Sequence, residues 1–295
     1  MDKTVVVFGV TGRQGGAAAK HLLKTGWSVK GVTRNPDSKK AIKLSASGVE
    51  LVKADLDNPE ALKKAFDGVN AVFSVQNPWI TGLEKEIEHG IRIAEMAVAA
   101  DVKHLVYASA GTGESNTGVP HFNSKIEIEA HIKSLGIPFT ILRSASFMEL
   151  MRDKDFLPPL VMWNVKPKIL GEDFPVMWIS TDDVGAIAAV VCNEPDTFIG
   201  KELSLGADLK SVKECREIYR SVYGKPPKRI PAPVWLFKLM QNDLYQMFLW
   251  MKSRLEPKSI IDETRQIHSG ALNVERWMQK MKEVDFPSAG QVRDF

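Results

Sequence analysis

Residues 4–23 read TVVVFGVTGRQGGAAAKHLL, with Gly9, Gly12, Gly15 and Gly16 set between an apolar run and an alanine-rich one. Glycines in this pattern suit the binding of a diphosphate. Gly9 permits a sharp turn out of a strand, Gly12 lets a phosphate approach bare backbone, and Gly15 lets a helix pack close to a sheet. The amides of the helix start, with the helix dipole behind them, then face the anion. The spacing is Gly-x-x-Gly-x-x-Gly, which differs from the commoner Gly-x-Gly-x-x-Gly.

Such a turn works only if the right elements hold it. Val5, Val6, Val7 and Phe8 form an unbroken apolar run, as in a strand buried on both faces of a parallel sheet. Ala18, Ala19, Leu22 and Leu23 share one helical face. Residues 28–33 (SVKGVT) predict a second strand, followed by Arg34 with no acidic residue before Asp37. A carboxylate at that point would bind the adenine ribose of NAD and repel the 2′-phosphate of NADP, whereas an arginine can pair with that phosphate. Position therefore favours NADP over NAD. Lys39 and Lys40 read as a solvated helix face.

A third strand is expected at 49–53, with Asp55 and Leu56 after it either framing adenine or closing a turn. Asp57 or Asn58, with Pro59, starts a helix. A fourth strand at 70–75 leads to Gln76, Asn77, Pro78 and Trp79, at the strand end where open α/β sheets bind ligands. Gln76 and Asn77 are candidates to bond the ribose or the nicotinamide side. A long helix at 83–100 carries Ile87, Ile91, Ala94 and Val98 as its core face and leaves His89 exposed. A fifth strand at 103–109 precedes a glycine-rich loop, and Asn123 or Ser124 is placed to cap the next helix, whose buried stripe is Ile128, Ile132 and Leu135. The sixth strand spans 138–143. Six strands separated by helices describe a doubly wound parallel α/β sheet.

Farther on, Asp182 and Asp183 suit a helix start structurally, residues 201–205 suit a strand, and Ser211 with Glu214 makes a capping box. From Pro233 the chain is dense in Trp, Phe, Leu and Met, expected to be mostly the core of a small lobe covering the nicotinamide end, with an apolar cleft or a protein-binding face as the alternative for some of them. The net charge of +3 over 295 residues gives no case for direct nucleic-acid binding. Two isolated cysteines, Cys192 and Cys215, form neither a disulfide framework nor a metal cluster. No leader is expected ahead of the first strand, and no apolar run nears the ~20 residues that span a bilayer. A soluble cytoplasmic protein with no membrane partner is expected.

The pieces VVVFGVTGRQGG, VTRNP, QNPW, HFNSKIEIE and ILRSASFMEL resemble the NmrA-like branch of the short-chain dehydrogenase/reductase superfamily, from the N-terminus to near the C-terminus. The resemblance implies an NADP-binding Rossmann domain over 1–151, partly interleaved with a smaller mixed α/β C-terminal lobe over 152–295. It places cofactor contacts on Gly9, Thr11, Gly12, Gln14 and Gly15 of the turn, with Arg13 beside them, on Arg34, on Lys125, and around Phe147. Conventional superfamily members carry Tyr-x-x-x-Lys, in which the lysine lowers the tyrosine pKa and the tyrosine delivers a proton. Here His121 stands four residues before Lys125, and Tyr107, Tyr219, Tyr223 and Tyr245 all lie elsewhere. Lys125 then binds ribose hydroxyls, acts as the acid of a tyrosine-free reductase, or is a surface lysine. His121 is a possible acid or a loop histidine without a function. Two functions are expected from this pattern. One is a regulatory NADP(H)-sensing module with a protein partner; the other is an NADPH-dependent reductase of a quinone-like or enone substrate using Lys125.

Overall fold

A computed structural model describes residues 3–153, 159–229 and 231–285. Val5, Val6, Val7 and Phe8 are fully buried, which places strand β1 (Thr4–Val7) at the centre of a sheet. The other strands of that sheet are β2 (Ser28–Thr33), β3 (Glu50–Lys53), β4 (Ala71–Ser74), β5 (His104–Ala110) and β6 (Phe139–Ser144). Beyond the short β7 (Ser146–Phe147) and β8 (Pro175–Ile179), β9 (Glu202–Leu205) returns to it. The order is β3-β2-β1-β4-β5-β6-β9, parallel at every pairing. Six strands were expected. The seventh arises because residues 202–205 register against Ile141–Ser144 rather than against their sequence neighbours.

Side chains alternate across β1. Val6 and Phe8 join Val72, Leu105 and Tyr107 in one core with Leu62, Ile93, Ile128 and Ile132 of the covering helices. On the opposite face the helix Arg13–Lys24 packs on the helix Thr181–Asn193. A Cβ on Gly185 would lie 2.5 Å from the Ala17 carbonyl carbon, so the two backbones meet with no room for a methyl group. Asp182 binds His21 at 3.1 Å, consistent with the structural role expected of it.

The chain divides into two compact units. The first holds the large sheet: residues 3–144 with Thr181–Leu205. The second holds Ala145–Ser180 and 206–285, so the expected boundary at Met151 lies inside it. Its small sheet has the order β10-β8-β7, with β10 at Asp208–Ser211, antiparallel to β8, and β7 parallel to β8. Ser211 and Glu214 form the expected capping box, and Gly224 closes the same helix in the left-handed conformation at φ 72°.

Several local expectations need correction. The buried face of the helix Leu83–Ala99 is Glu86, His89, Gly90, Ile93, Ala94 and Ala97, while Val98 is exposed. Gly90 sets this rotation, because a Cβ there would lie 2.6 Å from Ile128 of the neighbouring helix. His89 is consequently buried rather than exposed, with Nε2 2.8 Å from Asp57. The helix Pro120–Ser134 starts at Pro120, so Asn123 and Ser124 lie within it and cap nothing. In the aromatic segment only Phe237 and Phe248 are buried among the large side chains; Trp235, Leu236, Leu239, Met240 and Leu249 are exposed. Among the described residues no helix is long and apolar enough to cross a membrane.

Candidate functional site

Strand order reverses between β2 and β4, on either side of β1, and the crevice beyond the strand ends at such a point is where open α/β sheets take ligands. The glycine turn leaves β1 there. Gly9 has φ +68°, and a Cβ on it would lie 2.8 Å from Val75 Cγ1. The Gly12 amide donates to Gly9 O at 2.9 Å. A Cβ on Gly15 would lie 2.3 Å from that same Gly9 oxygen, so the helix can start this close to the strand only with glycine. Gly12 is the N-cap residue; no side chain caps the helix and its first turn holds no acidic residue. An uncapped helix start with no competing carboxylate suits an anion. Thr11, Arg13 and Gln14 are half-buried around it, and Gln14 Oε1 is buried with no hydrogen-bond partner among the described residues. An orphaned acceptor of this kind fits a ligand hydroxyl, and the glycine cradle fits a diphosphate, so the residues suit a dinucleotide.

Arg34 follows β2 and is exposed, with no hydrogen bond or ion pair on its side chain among the described residues. The chain beyond it is fixed locally. Thr33 Oγ1 accepts from the Asn35 amide at 3.2 Å, and Ser38 caps the helix Lys39–Ala46. Asp55 is taken up by its own turn, Oδ1 accepting from the Asp57 amide at 3.1 Å, while Leu56 packs against the core. Asp57 in turn holds Lys85 and His89, each at 2.8 Å, and hydrogen bonds from these two lower its pKa to about 2.

After β4, Gln76 is buried; Nε2 donates to Ser74 Oγ at 2.8 Å and Oε1 has no partner among the described residues. Asn77 serves as a cap, its Oδ1 accepting from the Trp79 amide at 3.0 Å. Trp79 is half-exposed, and its ring centre lies 5.2 Å from that of His121. His121 occupies the first helical turn rather than a loop and is buried against Phe122, with centroids 4.6 Å apart.

One turn later Lys125 is buried, which removes the surface reading. Its Nζ donates to Glu86 Oε1 at 2.8 Å, and Ser124 Oγ donates to Glu86 Oε2 at 2.5 Å. Glu86 is fully buried. Sequence reasoning missed it by assigning the adjacent residues of its helix to the core. A second cluster joins the buried Arg143 and Glu129 to the exposed Glu202, with Ser109 donating to Glu129 at 2.5 Å. Gly113, at φ +80°, lays the loop after β5 directly over the Arg143 guanidinium.

Tyr107 of β5 is fully buried. The Lys125 ammonium is 5.9 Å from its ring centre, and its hydroxyl has no partner among the described residues. Burial first, then Glu86 and Glu129, push its pKa well above the ordinary phenol value. It keeps its proton at neutral pH, and it lies in β5 rather than four residues before Lys125. Phe147 belongs to the second unit, where β7 pairs it with Ile179. Among the described residues no group of side chains suits a metal ion.

The chain has relatives with this architecture. An NmrA-like family domain-containing protein of Dictyostelium discoideum is 27% identical over 244 residues, covering 76% of this chain and 79% of that protein. The crystal structure of NmrA, a negative transcriptional regulator, in complex with NADP superposes with a TM-score of 0.76 at 18% identity, over 96% of each chain. The NADPH complex of an Escherichia coli NADPH-dependent quinone oxidoreductase superposes with a TM-score of 0.74 at 19% identity, over 94% of this chain and 99% of that one. The sequence also matches the profile of the NmrA-like family across residues 1–280, and the glycine turn, the seven-stranded sheet and the His121–Lys125 helix all lie within that span, so the chain belongs to the NmrA-like family.

Proposed function

We propose that this protein holds NADP(H) along the carboxyl edge of its large sheet and works as a cofactor-responsive module for a protein partner. The amides at Gly12 to Gly15 take the diphosphate, the exposed Arg34 takes the adenosine 2′-phosphate, and Lys125 takes ribose hydroxyls. The observation that carries the regulatory reading is the Lys125–Glu86 pair: the ammonium that would have to act as an acid is already held by a buried carboxylate at 2.8 Å. The bound dinucleotide would supply a hydride; the chain's own groups here bind and orient. A calorimetric titration tests this. NADPH should bind, and Arg34→Ala should weaken it by ~1.5–3 kcal/mol, the range of a charged hydrogen bond, with NADH scarcely affected. No heat with either coenzyme removes the reading, and equal losses for both remove the role of Arg34.

A second reading, an NADPH-dependent reductase of a quinone-like or enone substrate, is favoured by Trp79. Its half-exposed ring, backed by His121 one turn from Lys125, offers a planar apolar surface at the same sheet edge. The similar fold of a quinone oxidoreductase points the same way.

A further inference from the structure

The helix Val234–Met240 has the sequence VWLFKLM, apolar apart from Lys238. A helix apolar nearly all round needs cover on both sides. One side has it: Phe237 is buried and stacks on Phe248 of the helix Asn242–Lys252, with centroids 5.9 Å apart and planes within 11°. The other side is bare. Trp235 is 69% exposed, Leu239 77% and Met240 69%, and Leu255 beyond the second helix is 72% exposed. Trp235, Lys238, Leu239 and Asn242 line a shallow hollow on this face.

The sequence on either side of it is one-sided in charge, and Lys238 lies on the face itself. From Lys225 to Lys258 the sequence carries seven Lys and Arg residues against two acidic ones, Asp243 and Glu256. The whole chain is only +3, so the remaining sequence is net negative and the excess positive charge belongs to this stretch. A second copy pairing through this same face would bring the same positive field onto it and be repelled. A surface that is negative, flat and apolar just beneath matches both features at once. Tryptophan with flanking lysine and arginine is the composition that settles at a lipid headgroup boundary.

We infer that this face docks on the headgroup layer of an anionic bilayer, with Trp235, Leu239 and Met240 entering the interface and the flanking basic side chains meeting lipid phosphates. The docking is peripheral, and the dinucleotide site has no part in it. The full-length protein should be mixed with vesicles of phosphatidylcholine containing phosphatidylserine, and with vesicles of phosphatidylcholine alone, and then pelleted. It should pellet with the anionic vesicles at low ionic strength, bind the neutral ones about tenfold or more weakly, and be released by added salt. Trp235→Ala with Leu239→Asp should lower binding by about tenfold or more, and Lys238→Glu by several-fold, with circular dichroism unchanged because these side chains are exposed. Failure to pellet with the anionic vesicles overturns the inference, as does equal binding by wild type and the Trp235→Ala, Leu239→Asp protein. So does light scattering that shows a wild-type dimer dissolved by the same pair of substitutions, since the face would then be a self-interface.

Discussion

Lys166 is fully buried in the second unit, its Nζ 3.2 Å from Ser146 Oγ and 4.3 Å from the centre of the Trp178 ring. Burial pulls its pKa down to about 7, while Cys215 and Glu256 oppose the change. The unfolded chain keeps this proton to about 10.5, so above pH 7 the unfolded state binds more protons and stability rises with pH. Cys192 and Cys215 act in the opposite sense above about pH 9, because burial raises both thiols and the unfolded chain ionises first. The test window is therefore pH 7 to 9. Urea unfolding should show a stability increase across it that Lys166→Met flattens; an unchanged slope would mean that Lys166 does not titrate there. Glu86 makes a second residue-scale case. Glu86→Gln leaves the buried Lys125 ammonium without its counter-charge, and breaking such a pair from one side costs about 3–5 kcal/mol. Urea denaturation should register a loss of that order, and a loss under about 1 kcal/mol would show that water already relieves the pair.

Among the elements, the contact between the helices Arg13–Lys24 and Thr181–Asn193 is one that local pattern could not give. The second helix starts far along the chain and belongs to the first unit only through its packing. Gly185 is what lets it sit so close. Gly185→Ala should destabilise by about 1–3 kcal/mol, the range for forcing a methyl group into a filled contact, despite the better helix propensity of alanine. Thermal unfolding would check the sign, and stabilisation would mean that the helices separate easily. By contrast, β2, the helix at the glycine turn and the Ser211–Glu214 capping box were legible because their signals are local: an apolar run, a cap residue, a glycine at a fixed offset. The rotation of the helix Leu83–Ala99 was not, because Ile87 and Ile91 fit a helical period as well as Glu86, Gly90 and Ile93 do, and only Ile128 on the facing helix chooses between them.

For the whole molecule, a protein named as a transcriptional regulator and one named as a quinone oxidoreductase share this fold, and the two proposed functions differ in what happens after NADPH binds. NADPH with a panel of quinones, followed by nicotinamide absorbance, separates them. The module reading expects no sustained turnover. Turnover that disappears in Lys125→Ala would replace it with the reductase reading. The docking face belongs to this scale too. The expectation of no membrane contact rested on the length of apolar runs, which governs spanning but leaves open how seven short helical residues display Trp235 and Leu239.

The amino-acid sequence by itself determined the parallel α/β class, the glycine turn at the first helix and the position of Arg34, because each depends on residues close together in the chain and on backbone sterics. Tertiary structure decided what the distant partners are. It joined β9 to β6, closed Glu86 on Lys125, buried the Tyr107 hydroxyl without a partner among the described residues and left one side of the helix Val234–Met240 bare. Charge pairing and burial act between residues tens of positions apart, and no periodicity along the chain records which ones will meet.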